Sequence, residues 1–321
     1  MYHWIKKTVT AACAAALLAG CSAKTPTESQ KPVTEPVPEI PAEEVKPDIT
    51  LDQVLQANQI GTLLKNHSAV KIDTALYEQD GDETPVSSIQ SSYTVEDGFL
   101  QSFRAFTDRD GGKYYEEGHG DQTYSGALYA MNGDGSSKYM TVCPADEYEG
   151  IAAAGDSLWV RDGAEETLVD TSWQDDAVIL TVRVTYRDAA DSYDVVYYYV
   201  DPDTCELYAA NICSYSTADD SSMGVTQVRY TYDEPFSPEA SPFLAITGGT
   251  DYCELNVIVD YLGDDQAVYW YPVAHDTQVY FQTSRNDCTL YRDEDLTQTV
   301  ERYDPIDVSG DTANLFVKFE N

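Results

Sequence analysis

Positive charge is what this chain has least of. Nineteen Lys and Arg face 56 Asp and Glu, a formal net charge of −37 over 321 residues. Nucleic acid and anionic lipid headgroups both reward basic surfaces, so neither is expected as a main partner. Histidine is scarcer still, with four in the whole chain. No His-Glu-x-x-His, Gly-x-Ser-x-Gly or phosphate-cradling glycine loop occurs, so the zincin, nucleophile-elbow and P-loop signatures are all missing. Cys-x-x-Cys is absent too, which removes the redox motif and the zinc knuckle. Close carboxylate pairs are bound to occur by chance among 56 acids and nominate no glycosidase. No apolar run reaches the ~20 residues of a spanning helix. The expectation is a protein that is not an enzyme and holds no dissociable cofactor.

The acidity itself reads as solubility and self-repulsion. Asp108-Arg109-Asp110-Gly111-Gly112 begins like a calcium loop. Lys113 then stands where the sharp-turn glycine belongs, and His119 replaces the bidentate glutamate at the twelfth position. A hairpin turn fits the segment better.

The N-terminus carries the parts of an export signal: Lys6 and Lys7, an apolar stretch from Val9 to Leu18, then Leu18-Ala19-Gly20-Cys21. The last four match the lipobox of bacterial lipoproteins. Ala19 and Gly20 are small enough to enter a peptidase that cuts between Gly20 and Cys21, and the Cys21 thiol takes a diacylglycerol. Residues 1–20 are therefore expected to be a lipoprotein signal peptide. The segment 21–48, rich in Pro, Thr and Glu, buries too little to fold and reads as a disordered, semi-rigid stalk. The expected location is the extracytoplasmic face of a cell membrane, held by the lipid on Cys21.

A helix is expected next. Thr50 is its N-cap and Gln53 completes a capping box. Leu51, Val54, Leu55, Ile60, Leu63 and Leu64 follow at helical spacing, and Asn66-His67 ends it. His67 at a helix end reads as a dipole partner rather than a catalyst, and His119, between glycines, as exposed. After residue 69 the period becomes two. Val70, Ile72, Thr74 and Leu76 share one strand face. Residues 99–106 alternate with both faces partly covered. The clearest strand is 177–187, where Val178, Leu180, Val182, Val184 and Tyr186 are the candidate inward-facing residues. Further strands are expected at 191–200, 205–216 and 224–233, and a short helix around Asp146–Ala153. Strand follows strand through turn signals such as Asp201-Pro202-Asp203, so the sheet should be an antiparallel meander. Residues 234–246 hold Pro235, Pro238 and Pro242 and look like a connection. A small β domain over 236–321 follows a first domain over 49–235, with strands near 253–261, 266–273, 277–282, 288–292 and 312–319.

Five cysteines remain once Cys13 and Cys21 are set aside: Cys143, Cys205, Cys213, Cys253 and Cys288. Cys205 and Cys213, on one expected strand, lie ~26 Å apart, too far to bond; if either pairs, Cys143 is the candidate. Cys253 and Cys288 both fall in the small C-terminal unit, as a possible disulfide or as two buried thiols. Tyrosine is abundant, 25 against 8 Phe. Tyr197-Tyr198-Tyr199 must point to both faces of one strand. They serve either cross-strand packing or an aromatic platform for sugars or a partner.

The order of lipobox, stalk, amphipathic helix and long meander, with Val196-Tyr197-Tyr198-Tyr199-Val200-Asp201-Pro202-Asp203-Thr204 in a later hairpin, resembles Gram-positive, Clostridia-type surface lipoproteins similar to the LolA/LppX lipoprotein-carrier group. The resemblance covers about 49–235. It implies a mainly β (α+β) fold: an antiparallel, incompletely closed barrel with one or two helices, enclosing an apolar concavity that binds a lipid or other amphiphile. The inward candidates here include Tyr, Thr and Ser, so the concavity is smaller, more polar, or filled by side chains. The tail, with Leu290-Tyr291-Arg292 and Leu315-Phe316-Val317-Lys318, resembles small β-grasp-like modules of surface proteins. The alternative function is a cell-surface interaction or signalling module that binds a partner protein or wall glycan. Replacing Cys21→Ala should release the protein from the membrane fraction into the soluble fraction and abolish incorporation of labelled fatty acid; continued membrane association would refute the anchor.

Overall fold

The computed structural model describes residues 48–120, 126–144, 147–148, 151–152, 164–174, 177–187, 189–234, 239–247, 251–260, 266–283, 285, 287–301 and 303–319. The signal peptide, the Gly20–Cys21 cleavage site and the stalk lie outside the described residues. So do parts of the short helix expected near Asp146–Ala153 and of the 234–246 connection. No described helix is long and apolar enough to cross a membrane.

The capping box forms as its residues dictate. Thr50 Oγ1 accepts from the Gln53 backbone N–H, and Gln53 Oε1 accepts from the Thr50 N–H at 2.8 Å. The helix it starts is not the single one expected. It stops at Ala57 (α1, Leu51–Ala57), and a second begins at Ile60 (α2, Ile60–Asn66). Asn58 makes the break. Its buried side-chain amide donates to the carbonyls of Val54 (2.7 Å) and Cys205 (2.8 Å) and accepts from the Leu207 N–H at 2.9 Å. An asparagine that serves backbone groups elsewhere leaves the helical ladder. Two helices this short are not stable alone; Val54, Ile60 and Leu63 hold them by burial against the sheet.

The sheet is built in two runs. The first is β1 (Ala69–Tyr77), β2 (Ser87–Glu96), β3 (Phe99–Thr107), β4 (Lys113–His119), β5 (Ala127–Asn132) and β6 (Lys138–Val142). The second is β7 (Ala164–Gln174), β8 (Ala177–Tyr186), β9 (Ser192–Val200), β10 (Leu207–Ser216) and β11 (Ser222–Tyr232). Each run is an antiparallel meander, and they join where β1 pairs with β11 from Val70↔Tyr232 to Tyr77↔Val225. With β14 (Thr277–Phe281) added beside β6, twelve strands stand in the order β14-β6-β5-β4-β3-β2-β1-β11-β10-β9-β8-β7. The sheet is open, because β14 and β7 are edges that do not meet. It is also curled. One core takes in Leu128 of β5, Leu100 of β3, Ile72 of β1, Tyr198 of β9 and Leu180 of β8 together with both helices. A flat sheet would spread β5 to β8 over ~38 Å, far more than two seven-residue helices cover.

The remaining strands are β12 (Tyr252–Asp260), β13 (Gln266–Ala274), β15 (Cys288–Tyr291), β16 (Thr299–Val300) and β17 (Thr312–Phe319), in the order β13-β12-β17-β15-β16 with β12 and β17 parallel. A short helix, α3 (Pro242–Thr247), forms where a plain connection was expected. These elements share a second core with the large sheet. Leu255, Val257, Leu315 and Val317 cluster with Ala127, Tyr129, Met140 and Val142 of β5 and β6. The expected strand near 277–282 is β14, and it belongs to the large sheet, parallel to β6 from Thr277↔Lys138 to Phe281↔Val142.

The register removes the expected Cys253–Cys288 disulfide. Glu254, next to Cys253, lies level with Thr312 of β17, while Cys288 lies level with Phe319 at the other end of that strand. With β17 between them and ~23 Å along it, the two thiols cannot meet. Cys205 is not on a strand as expected; it sits in the turn before β10 at φ +61°. The Asp108–Gly112 segment is the expected hairpin turn, with Gly111 at φ +81° and the Asp108 N–H donating to the Gly112 carbonyl.

Asn58→Ala should cost about 2–4 kcal/mol, because it strands a buried carbonyl and a buried N–H at the Cys205–Leu207 connection. Urea unfolding followed by circular dichroism measures this; a change within ±0.5 kcal/mol would contradict the role of that amide.

Candidate functional site

Period-two alternation and register fix which side chains share the concave, helix-bearing face. Along β8 they are Val178, Leu180, Val182, Val184 and Tyr186. The first four are buried, and Tyr186 packs against the same core, half-buried. Tyr186 Oη donates to Asp194. Under the helices this face is filled by side chains.

Farther along the sheet, beyond α2, the concave face becomes polar while Ser91 and Tyr93 stay buried. Ile72 aligns with Ser91, Ser91 with Arg104, and Arg104 with Glu116. The Arg104 guanidinium donates to Glu116 Oε1 (3.0 Å), to Tyr93 Oη (2.8 Å) and to the Ala152 carbonyl (2.8 Å). Both members of the ion pair are half-buried. Beside them Ser91 Oγ is buried and meets no hydrogen-bond partner among the described residues. A buried hydroxyl without a partner costs about 1–3 kcal/mol. One step outward on the same face lie Phe106, Tyr114 and Asn132, level with one another across β3, β4 and β5. Burial and the nearby Glu116 carboxylate push the Tyr114 hydroxyl up to about 12, so it is a neutral donor at any physiological pH.

Glycine closes the inner end of this trough. Tyr148 lies over Gly118, Gly120 and Gly126, at each of which a Cβ would come within 2.8 Å of its ring or hydroxyl. Tyr148 Oη donates to the Leu100 carbonyl at 3.1 Å. At the outer end, the β3–β4 and β5–β6 turns and Lys113 join Phe106 and Tyr114 around a depression of about 610 Å³. The depression is lined by Phe106 and Tyr114 but also by Asp108, Lys113, Asn132 and Asp134, and the Arg104–Glu116 pair lies one residue pair inward of it on the same face. It offers a small apolar surface on Phe106 beside several hydrogen-bonding and charged groups. Ser91, Arg104 and Tyr148 were not singled out from sequence; only the reading that both faces of β3 are partly covered pointed this way.

Two histidine clusters lie elsewhere on the fold. His67 does end α2, as expected, but its partners are two carboxylates. Nδ1 meets Asp233 and Nε2 meets Glu206, each at 2.9 Å, while the ring stacks on Tyr232 at 4.3 Å. A carboxylate only accepts, so both ring nitrogens donate and the ring is an imidazolium. Burial pulls the His67 pKa down, but the Asp233 and Glu206 hydrogen bonds and charges outweigh it and the net shift is upward. Those bonds and the two from Ser68 hold Asp233 near 2. His119, expected to be exposed, is half-buried, with Nε2 2.9 Å from Glu117 Oε1 and its ring 4.3 Å from Phe243. Burial raises Glu117, and the bonds from His119, Ser241 and the Phe243 N–H more than reverse that. The carboxylate stands between the serine and the imidazole, so His119 does not touch the hydroxyl as it would in a Ser–His pair. Glu117 joins β4 to the start of α3, and His67 joins α2 to the strand ends.

No family model matches the chain, and no curated protein matches it. Among solved structures it is similar to the lipoprotein LppX of Mycobacterium tuberculosis, at 13% identity over 58% of this chain and 97% of that one, with a TM-score of 0.30. It is similar to a DUF1329 family protein from Desulfovibrio piger at 10% identity, 58% and 92% coverage and a TM-score of 0.27. A LolA superfamily protein from Nitrosomonas europaea matches at 10% identity, 59% and 96% coverage and a TM-score of 0.22. Likenesses this distant carry neither ligand nor partner onto this chain.

The His67 cluster sets a pH window. A folded-state pKa above the ordinary 6.5 gives stability that is fully present below 6.5 and lost as pH rises through the folded value. The depressed Asp233 adds stability present above the ordinary 3.8 and lost as pH falls toward about 2. Urea midpoints measured from pH 4 to pH 9 should therefore decline on the alkaline side for the natural chain and decline less for His67→Gln; parallel curves would refute the imidazolium.

Proposed function

We propose that this chain is an extracytoplasmic lipoprotein, tethered through a diacylglycerol on Cys21 and the 21–48 stalk, that binds a lipid or other amphiphile without chemical turnover. The observation that carries the reading is the depression of about 610 Å³ on the concave face, lined by Phe106, Tyr114, Asn132 and Lys113 and lying one residue pair outward from the Arg104–Glu116 pair. The Phe106 and Tyr114 rings take an alkyl segment by burial, at about 25 cal/mol per Å² removed from water, and Lys113 and Asn132 beside them fix a polar group. The arrangement supports a smaller and more polar site than an acyl cavity beneath the helices, where Leu180, Val182, Leu63 and Tyr198 already fill the space. The Glu117 and His67 clusters support a non-catalytic reading, because each is arranged as a brace. The segment 236–321 is proposed as a β-grasp-like accessory; the central parallel pairing of β12 with β17 supports that assignment.

The test uses the mature chain with Cys21→Ser, purified without detergent, extracted with organic solvent and analysed by mass spectrometry, alongside Phe106→Glu. The expected result is copurified amphiphile with the parent and at least tenfold less with Phe106→Glu, at unchanged thermal midpoint. An empty parent protein that also fails to take up a fluorescent long-chain fatty acid would overturn the proposal.

A further inference from the structure

The outer edge of β7 is a surface that the concave depression does not use. Among the described residues the two open sheets have four edges, and three of them are blunted as natural sheet edges are. Ile306 bridges to Val279 on the outer side of β14. Strand β13 carries Pro272, and β16 is two residues long. Strand β7 has none of these protections. It is 11 residues long, about twice the common strand length. It pairs with β8 on one side, and on the other no described backbone group meets it. From Ala164 to Gln174 there is no lysine, arginine or proline. The bulge between Leu168 and Asp170 is its one irregularity. At that point the strand is open to solvent, with Leu168 42% and Val169 62% exposed.

Open backbone groups along an edge recognise a matching row of N–H and C=O groups, which is an extended polypeptide. Charge then selects among polypeptides. Glu165, Glu166 and Asp170 lie along β7 and no base accompanies them. Glu166 aligns with Val184, on the helix side of the sheet, and is half-buried. Its charged neighbour there is a second acid: burial and the Asp52 carboxylate of α1 hold Glu166 above the usual carboxylate range. A lysine or arginine brought beside the two would relieve that repulsion. Leu168 stands one step along the same face, opposite Val182, and offers an apolar contact two residues from the base. A second copy of this chain is a poor occupant, because β7 against β7 sets three acids against three, on chains of net charge −37 each. We infer that the outer edge of β7 docks an extended, basic segment of a partner protein, which joins the sheet as a further strand with its Lys or Arg beside Glu166 and Asp52 and an apolar residue against Leu168.

The test is fluorescence anisotropy of a labelled nonapeptide titrated with the mature chain carrying Cys21→Ser. The peptide has threonine at odd positions and lysine and valine by turns at even ones. Saturable binding is expected. It should weaken at least tenfold when glutamate replaces the lysines, and when one alternate set of peptide amides is N-methylated, while N-methylation of the other set leaves it intact. Leu168→Lys/Val169→Lys should weaken it at least tenfold and Glu166→Gln at least threefold; Asp295→Asn, an exposed acid on the other sheet, should leave it unchanged. Thr167→Lys, also at an exposed position, replaces the double variant if that fails to fold. No saturable binding, equal binding of the parent peptide and both methylated forms, or indifference to the lysine variants would overturn the inference. So would a concentration-dependent dimer that Val169→Lys abolishes, which gives the edge to a second copy. The readout uses no lipid, so this edge and the amphiphile site stand or fall separately.

Discussion

The pairing of β1 with β11 is the contact on which the rest depends. Among the described residues it is where the two meanders pair, and it brings Val70 beside Tyr232 and Tyr77 beside Val225. Without it there are two separate sheets, each with an extra raw edge, and neither is wide enough to wrap the helices. With it, the inward side chains of β8 and those of β3 and β5 reach one shared core with α1 and α2. The helices in turn are fastened by hydrogen bonds to the second run. Asn58 holds the connection between β9 and β10, and His67 holds the ends of β10 and β11. The curvature that makes the concave trough is thus a result of long-range pairing and helix docking together, not of any one strand.

Much of this was legible in the residues. The capping box at Thr50–Gln53, the alternation of β1 and β8, and the turn at Asp108–Gly112 all follow from local chemistry, and each forms. What failed did so for physical reasons. The apolar spacing from Leu51 to Leu64 is mainly helical and resumes after Asn58, so one polar residue on the stripe did not mark a break; its three backbone partners come from residues far along the chain or from the helix end itself. Strands β2, β4 and β7 alternate poorly because both their faces are half-covered or exposed. The Cys253–Cys288 expectation assumed that proximity in sequence meant proximity in a small unit, whereas β17 lies between the two strands.

The trough was less legible than the fold. Ser91, Arg104 and Glu116 stand on three strands and become neighbours through register alone. Serine in a strand and an Arg–Glu pair among 56 acids are unremarkable one at a time. Glycine at 118, 120 and 126 reads as turn composition until Tyr148 is seen to need the space. The tyrosine triplet was legible as a two-faced strand, and the structure assigned each ring to its side.

The parallel pairing of β14 with β6 bears on how the molecule is made. β6 lies before residue 143 and its outer partner begins at Thr277, so a chain delivered from its N-terminus cannot finish the large sheet until nearly all of it has arrived. Until then β6 presents open backbone groups, and Tyr129, Met140 and Val142 of the second core lack their cover. Such an edge invites pairing with another chain. Closing loops this long is slow. A net charge of −37 keeps like chains apart during that wait. The acidity that first read as mere solubility is therefore also a safeguard during assembly, needed most before the last strands are in place.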